Sequence, residues 1–415
     1  MTTTPEKRVT YRQVLAVREF RALFTAELVS ATGDQVARIA IALLVFGRTG
    51  SSFAASATYA CSFLTWLIGG PILSATADRY PRKQVMLLCD AGRGLLVLGL
   101  LIPHLPLVAI FAMLLLLGVL APPFESARSA TVPDVLGEDE YVVANALQNT
   151  GFTMAQVIGF LCGGALVSLF GVNGALLLDA VSFAVGGFLV LTGVQSRPIP
   201  AAAAGREGLI ASTRDGFALV LGQPKLRWLL GVACLSFTIL IPTEGLAVPI
   251  AAKLGYGAVG AGLLTAAAPA GYVIGAALVA RLRSARRRSL MLPMLVLSAA
   301  PLLLSPVIDD LRLLILLWLV AGIGGAVQVV ANAEYVLATP AAFRARGFGL
   351  AATMIMAIQG GLLLLTGAAS EVWDSRQVIA GVAAACLLVV LGWIRLAPRE
   401  LPPAQGRHRT RRMAS

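Results

Sequence analysis

Twelve apolar stretches follow one another along this chain, separated by short polar turns. They fall near residues 20–46, 53–77, 85–102, 105–123, 143–168 and 172–194, then 227–250, 257–282, 289–308, 311–336, 347–370 and 377–396. A helix rises about 1.5 Å per residue and needs about 20 residues to cross the hydrocarbon of a bilayer, so each stretch has the length of one crossing. The pattern predicts an all-α integral membrane protein of twelve transmembrane helices. A longer connector divides the twelve into six and six, which implies an internal duplication and two pseudo-symmetric six-helix bundles. The expected units are an N-terminal half over 1–194, a cytoplasmic linker over 195–225, a C-terminal half over 226–396 and a basic cytoplasmic tail over 397–415. Within the linker, Leu209 to Leu221 carries Arg214 and Asp215 on an otherwise apolar run, the pattern of a short helix lying in the membrane interface.

The charges alternate with the stretches. Of 33 Lys and Arg residues, 27 lie in loops and tails that share one side if every stretch crosses, whereas the opposite loops hold Arg48, Lys253, Arg312 and Arg376. Basic loops resist translocation, so both termini are expected on the cytoplasmic side of a bacterial cytoplasmic membrane. With 58% hydrophobic and 13% charged residues, too little polar surface remains to coat a single aqueous core. A net charge of +12 would point to nucleic acid in a soluble chain, but here the charges mark loops beside anionic lipid. Membrane lipid is therefore an expected partner and nucleic acid is not.

Enzymatic classes find no support. There is no Gly-Lys dipeptide and hence no phosphate-cradling G-x-x-x-x-G-K-S/T loop, and there is no G-x-S-x-G nucleophile turn. His104 and His408 lack ligand-like neighbours, and the five cysteines show no C-x-x-C, so neither a metal nor another cofactor is expected.

Charges inside apolar stretches are costly and are therefore functional candidates. Asp34 lies 13 residues beyond Arg21, roughly 20 Å along a helix and so near the midplane. Arg38 follows one turn later on the same face, which predicts an Asp34–Arg38 pair serving either a substrate or proton site or a structural role. Glu244 lies 17 residues beyond Arg227 with no basic residue within a turn. It is expected in the outer third of its span, either unpaired and suited to carry a proton or face a cationic substrate, or hydrated near the outer mouth. Asp179 and Glu334 are further candidates. Gln156, Gln328, Asn332 and Gln359 serve either a cavity lining or helix-to-helix hydrogen bonds. Asp90 and Arg93, three residues apart, read as an ion pair at the interface near the loop that contains Asp78.

That loop reads SATADRYPRKQV, with Asp78, Arg79, Arg82 and Lys83. It resembles the major facilitator superfamily signature G-x-L-a-D-R-x-G-R-K, departing from it at Ser74 and Pro81. The resemblance implies that Asp78 latches the outward-open state across the interface between halves, supported by Arg79, Arg82 and Lys83, with Asp90 and Arg93 close by. In the second half, Arg281 to Arg288 keeps the basic residues of this loop without the acid. The run from Ala121 to Thr150 and the first stretch, FRALFTAELVSATGDQVARIAIALLVF, are similar to the drug and siderophore exporter branch, which includes macrolide efflux proteins. The fourth stretch, however, lacks the internal Arg of many drug–proton antiporters, and Gly159 to Gly164 lacks the prolines of their fifth-helix signature. The resemblance implies a monomeric secondary transporter working by alternating access, which exports a small amphiphilic compound in exchange for protons. The alternatives are a metabolite uptake permease and a non-transporting membrane sensor on the same fold.

Overall fold

The computed structural model describes residues 9–73, 80–197, 222–339 and 344–396. The helices are α1 (Tyr11–Ala16), α2 (Arg18–Thr49), α3 (Ser52–Leu73), α4 (Arg82–Gly99), α5 (Leu107–Val135), α6 (Glu138–Gly193), α7 (Pro224–Lys253), α8 (Gly257–Ala280), α9 (Ser284–Ser289), α10 (Met291–Ala299), α11 (Leu311–Gly325), α12 (Val327–Ala338), α13 (Arg344–Ala369) and α14 (Ser375–Leu396). A 3-10 helix, Pro301–Val307, prolongs α10. Among the described residues there is no strand, and eight helices are long and apolar enough to cross a membrane.

Local chemistry sets the breaks. Helix α2 ends where Gly50 takes a positive φ of 65°, a conformation that lets its N–H reach back to the Phe46 carbonyl. The Asp310 carboxylate accepts from the Arg312 and Leu313 N–H groups and so starts α11. The fifth and sixth stretches form one element, α6, which turns at Gly171 with φ 70° and ψ 179°. That backbone region is essentially reserved for glycine. Helix α5 is longer than its apolar stretch, continuing through Pro122 and Pro123 to Val135. The expected linker helix, most of the linker and the basic tail lie outside the described residues.

Leu88, Val108 and Leu388 are 73%, 81% and 71% exposed, a distribution that is costly in water and ordinary against lipid. The largest buried cluster lies in the second half yet includes Ile39, Ala42, Tyr59, Ala60 and Phe160 of the first, so it joins the two bundles. Gly164 of α6 and Gly262 of α8 make their closest approach. A Cβ at Gly164 would lie 2.6 Å from the Ala258 carbonyl, and one at Gly262 would lie 2.7 Å from the Phe160 carbonyl. Apolar lipid gives helices little hydrophobic reason to associate, so such backbone-to-backbone packing supplies the contact. Beyond it, near Gly50, the Glu371 Oε1 accepts 2.8 Å hydrogen bonds from the Ser51 hydroxyl and the Phe53 N–H, tying α3 to the turn after α13. These junctions lie towards the Gly50 end of the bundle, away from the end bearing Arg82 and Pro224.

Candidate functional site

The site lies where α2 and α3 of the first half meet α7 of the second. Arg38 Nη1 stands 3.8 Å from Glu244 Oε1, an ion pair between the halves. This corrects two expectations: Arg38 pairs with Glu244 rather than with Asp34, and Glu244 is not unpaired. The physical reason is tertiary, since α7 supplies a carboxylate that no spacing within α2 could reveal. Asp34 remains electrostatically close to Arg38, and also to Arg93, but forms no ion pair among the described residues.

The surroundings of the pair are aromatic and tightly fixed. The Arg38 guanidinium lies 5.9 Å from the centroid of Phe63, and Tyr59, 1% exposed, faces both Arg38 and Glu244 electrostatically. Beside Glu244, the buried Ser56 hydroxyl donates to the Gly245 carbonyl at 2.9 Å, pinning α3 to α7. Glu244 follows Pro242 by two residues within a continuous helix. The side chains of Arg38 and Glu244 are 27% and 14% exposed.

The remaining candidates disperse. Asp179 is 1% exposed, accepts from Ser182 at 3.3 Å, and packs at Gly33 behind α2. Asp90 and Arg93 pair at 2.6 Å and are 2% and 7% exposed, with the guanidinium over Phe124 and Phe183 at 4.5 and 4.6 Å. Aromatic rings from α5 and α6 enclose this pair within the first half. Glu334 accepts from Arg288 at 2.6 Å and lies 4.0 Å from Lys225, which ties the Pro224 end of the second half together. Gln328 donates to Ser236 at 3.2 Å, a bond between α12 and α7. Gln156 is half-buried, Asn332 exposed and Gln359 buried. Asp78 and Arg79 lie outside the described residues. Arg82 bonds Asp134 at 2.5 Å, and Lys83 donates to the Leu191 and Val194 carbonyls at the end of α6.

Sequence reasoning missed one cluster. Arg128 is an internal residue of α5, 8% exposed, and bonds both Glu27 of α2 and Glu125 one turn before it. Taking it as a loop charge was wrong because α5 outruns its apolar stretch. The available signal was the i, i+3 spacing of Glu125 and Arg128.

Apolar helices long enough to cross a membrane, packed through small residues, with an ion pair joining the first part of the chain to the second, are the features of a multi-pass membrane transporter. The family model of the Major Facilitator Superfamily matches residues 23–259 and 232–413, and the chain belongs to that superfamily; it is a transporter, not an enzyme. It is 31% identical over 179 residues to the uncharacterized MFS-type transporter YkuC of Bacillus subtilis, covering 42% of this chain and 41% of YkuC. It is 28% identical over 284 residues to the enterobactin exporter EntS of Shigella boydii, covering 66% of each. A POT family transporter in complex with 5-aminolevulinic acid matches with a TM-score of 0.72 and 13% identity, covering 92% of this chain and 96% of that one. A bacterial homolog of the human lysosomal transporter Spinster, inward-facing and unoccupied, matches with a TM-score of 0.67 and 14% identity, over 91% and 96%. At these identities the solved structures carry the fold alone.

Proposed function

We propose that the chain is a proton-coupled exporter of a small amphiphilic compound, working by alternating access as a monomer, with Arg38 and Glu244 at the coupling point. The carrying observation is their ion pair across the two halves. Alternating access moves one half against the other, so this tie must break in each cycle. A proton on Glu244 removes the attraction and frees the halves. Asp34, one turn from Arg38, is the second carboxylate able to exchange the guanidinium. With both termini cytoplasmic, the junctions near Gly50 face the outside. Export, rather than uptake, is favoured by the EntS likeness.

Everted vesicles with an imposed pH gradient test the coupling. Asp34→Asn and Glu244→Gln keep side-chain size while abolishing titration. Glu244→Gln, alone or with Asp34→Asn, is expected to lower substrate-evoked proton release by about tenfold or more, the loss of a positioned proton-transfer group. Parent-like proton exchange by the double variant would refute the assignment.

A further inference from the structure

Three little-exposed arginines of the helices each bond a carboxylate directly. Arg93 bonds Asp90, Arg128 bonds Glu27 and Glu125, and Arg376 bonds Asp309, Asp374 and the Ile308 carbonyl. Their side chains are 8%, 9% and 11% exposed. Arg38 differs on both counts. It is 27% exposed and donates no hydrogen bond among the described residues, because its ion-pair partner stands 3.8 Å away, beyond bonding reach. Glu244 Oε1 is likewise buried with no hydrogen-bond partner. A guanidinium offers five N–H donors in a planar fork, matched to two oxygens of one anionic group. All five lack a hydrogen-bond acceptor among the described residues, and the guanidinium lies beside the Phe63 ring where the two halves meet.

We infer that Arg38 anchors an anionic group of the substrate, a carboxylate or similar oxyanion on an aromatic or apolar body, and that Glu244 holds the guanidinium when the site is empty. The inference rests on the transport reading and gives it a substrate class. Arg38 is faced by Asp34 from its own helix and Glu244 from α7, and Glu244 by Arg38 and by Tyr59 of α3. An arriving oxyanion competes with Glu244 for the fork and wins by making two bonds where Glu244 makes none. The ring of Phe63 gives the apolar body a surface on which to stack. Anion and proton thus break the same tie from opposite sides: the anion takes Arg38 on the outward leg, and the proton neutralises Glu244 on the return. That alternation is the logic of exchange, because the halves move only when one or the other has arrived.

Three probes that share a ring and differ in charge test this: 2-naphthoate, 2-naphthamide and 2-naphthylmethylammonium. Binding to the purified full chain in nanodiscs is measured by calorimetry for the parent, Arg38→Gln, Arg38→Lys and Glu244→Gln, with the melting temperature of each unliganded variant recorded. The expected result is that naphthoate binds the parent best, weakens by about tenfold or more in Arg38→Gln, and weakens less in Arg38→Lys, which keeps the charge without the fork. Glu244→Gln removes the internal competitor and is expected to bind naphthoate as tightly as the parent or several-fold tighter, whereas removal of a cation site would weaken the ammonium probe instead. Naphthamide is expected to be indifferent to all three substitutions. If Arg38→Gln does not fold, the Glu244→Gln result decides. Naphthoate binding that is absent in the parent, unchanged by loss of Arg38, or weakened by Glu244→Gln overturns the proposal, as does an ammonium probe that binds best and is lost only in Glu244→Gln. No gradient is applied, so a failure of proton coupling in vesicles leaves this result standing, and the reverse.

Discussion

Arg128, Glu27 and Glu125 form the most enclosed charged group that spacing did not expose. Breaking a buried pair leaves a desolvated charge, at about 3–5 kcal/mol. Arg128→Gln is therefore expected to lower the melting temperature of the detergent-solubilised protein steeply, and Glu27→Gln to do so as well. The double variant should recover part of the loss, since each single change strands the other charge; simple additivity in the melts would mean the pair is uncoupled. Outside the spanning helices, Asp374 makes a different kind of pair. Burial pushes its carboxyl upward, but the Lys253 ammonium, the Arg376 N–H and the Arg376 guanidinium outweigh that and hold it below the usual carboxylate range. A carboxyl lowered by folding stabilises above its unfolded value, about 4, and loses that contribution as pH falls through the lower folded value. The melting-temperature difference between parent and Asp374→Asn should be constant above about pH 5 and shrink as the pH drops below about 4.

Helices meet across the halves through small residues, and this is where an element-scale change has the largest effect. A side chain at Gly164 must displace the backbone of α8, since the nearest atoms are the Ala258 carbonyl and Gly262 itself. Backbone cannot move aside as a flexible side chain can. Gly164→Leu is expected to hold α6 and α8 apart and depopulate the arrangement closed at the Gly50 end. Paired cysteines at Ser51 and Glu371, now bridged by a 2.8 Å hydrogen bond, report it: crosslinking should fall several-fold in Gly164→Leu against the parent pair. The apolar pattern located α6 and α8 as helices but was blind to this contact, because a glycine that packs backbone against backbone looks like any other glycine in a membrane span.

Across the whole molecule, the distribution of Lys and Arg sets the orientation that the functional reading needs. A C-terminal fluorescent protein is expected to fold and fluoresce, and a periplasmic phosphatase at the same position to be inactive; the opposite pair of results would invert the topology. That the chain is a helical membrane protein was readable because bilayer thickness imposes one requirement on every crossing, whatever its neighbours. Membership of the superfamily was readable from Asp78, Arg79, Arg82 and Lys83, a short run whose spacing survives without any knowledge of packing.

Partners were another matter. Asp34 and Arg38 satisfy the i, i+4 rule, yet the guanidinium lies against Glu244; Asp90 and Arg93 satisfy the i, i+3 rule and do pair, and the rings of Phe124 and Phe183 enclose them. Arg128, read as a loop charge, is inside a helix. For Asp34, Arg38 and Glu244 the sequence neighbourhood gave a position along the helix, because that position follows from rise per residue. What lies opposite at that depth follows from how separate helices rotate and cross, and those angles are set by contacts such as Gly164 on Gly262 and Ser56 on Gly245, between segments far apart in the chain. The sequence therefore determined that charges sit within apolar helices and which of them pair within one helix, and packing determined which charge answers which between helices.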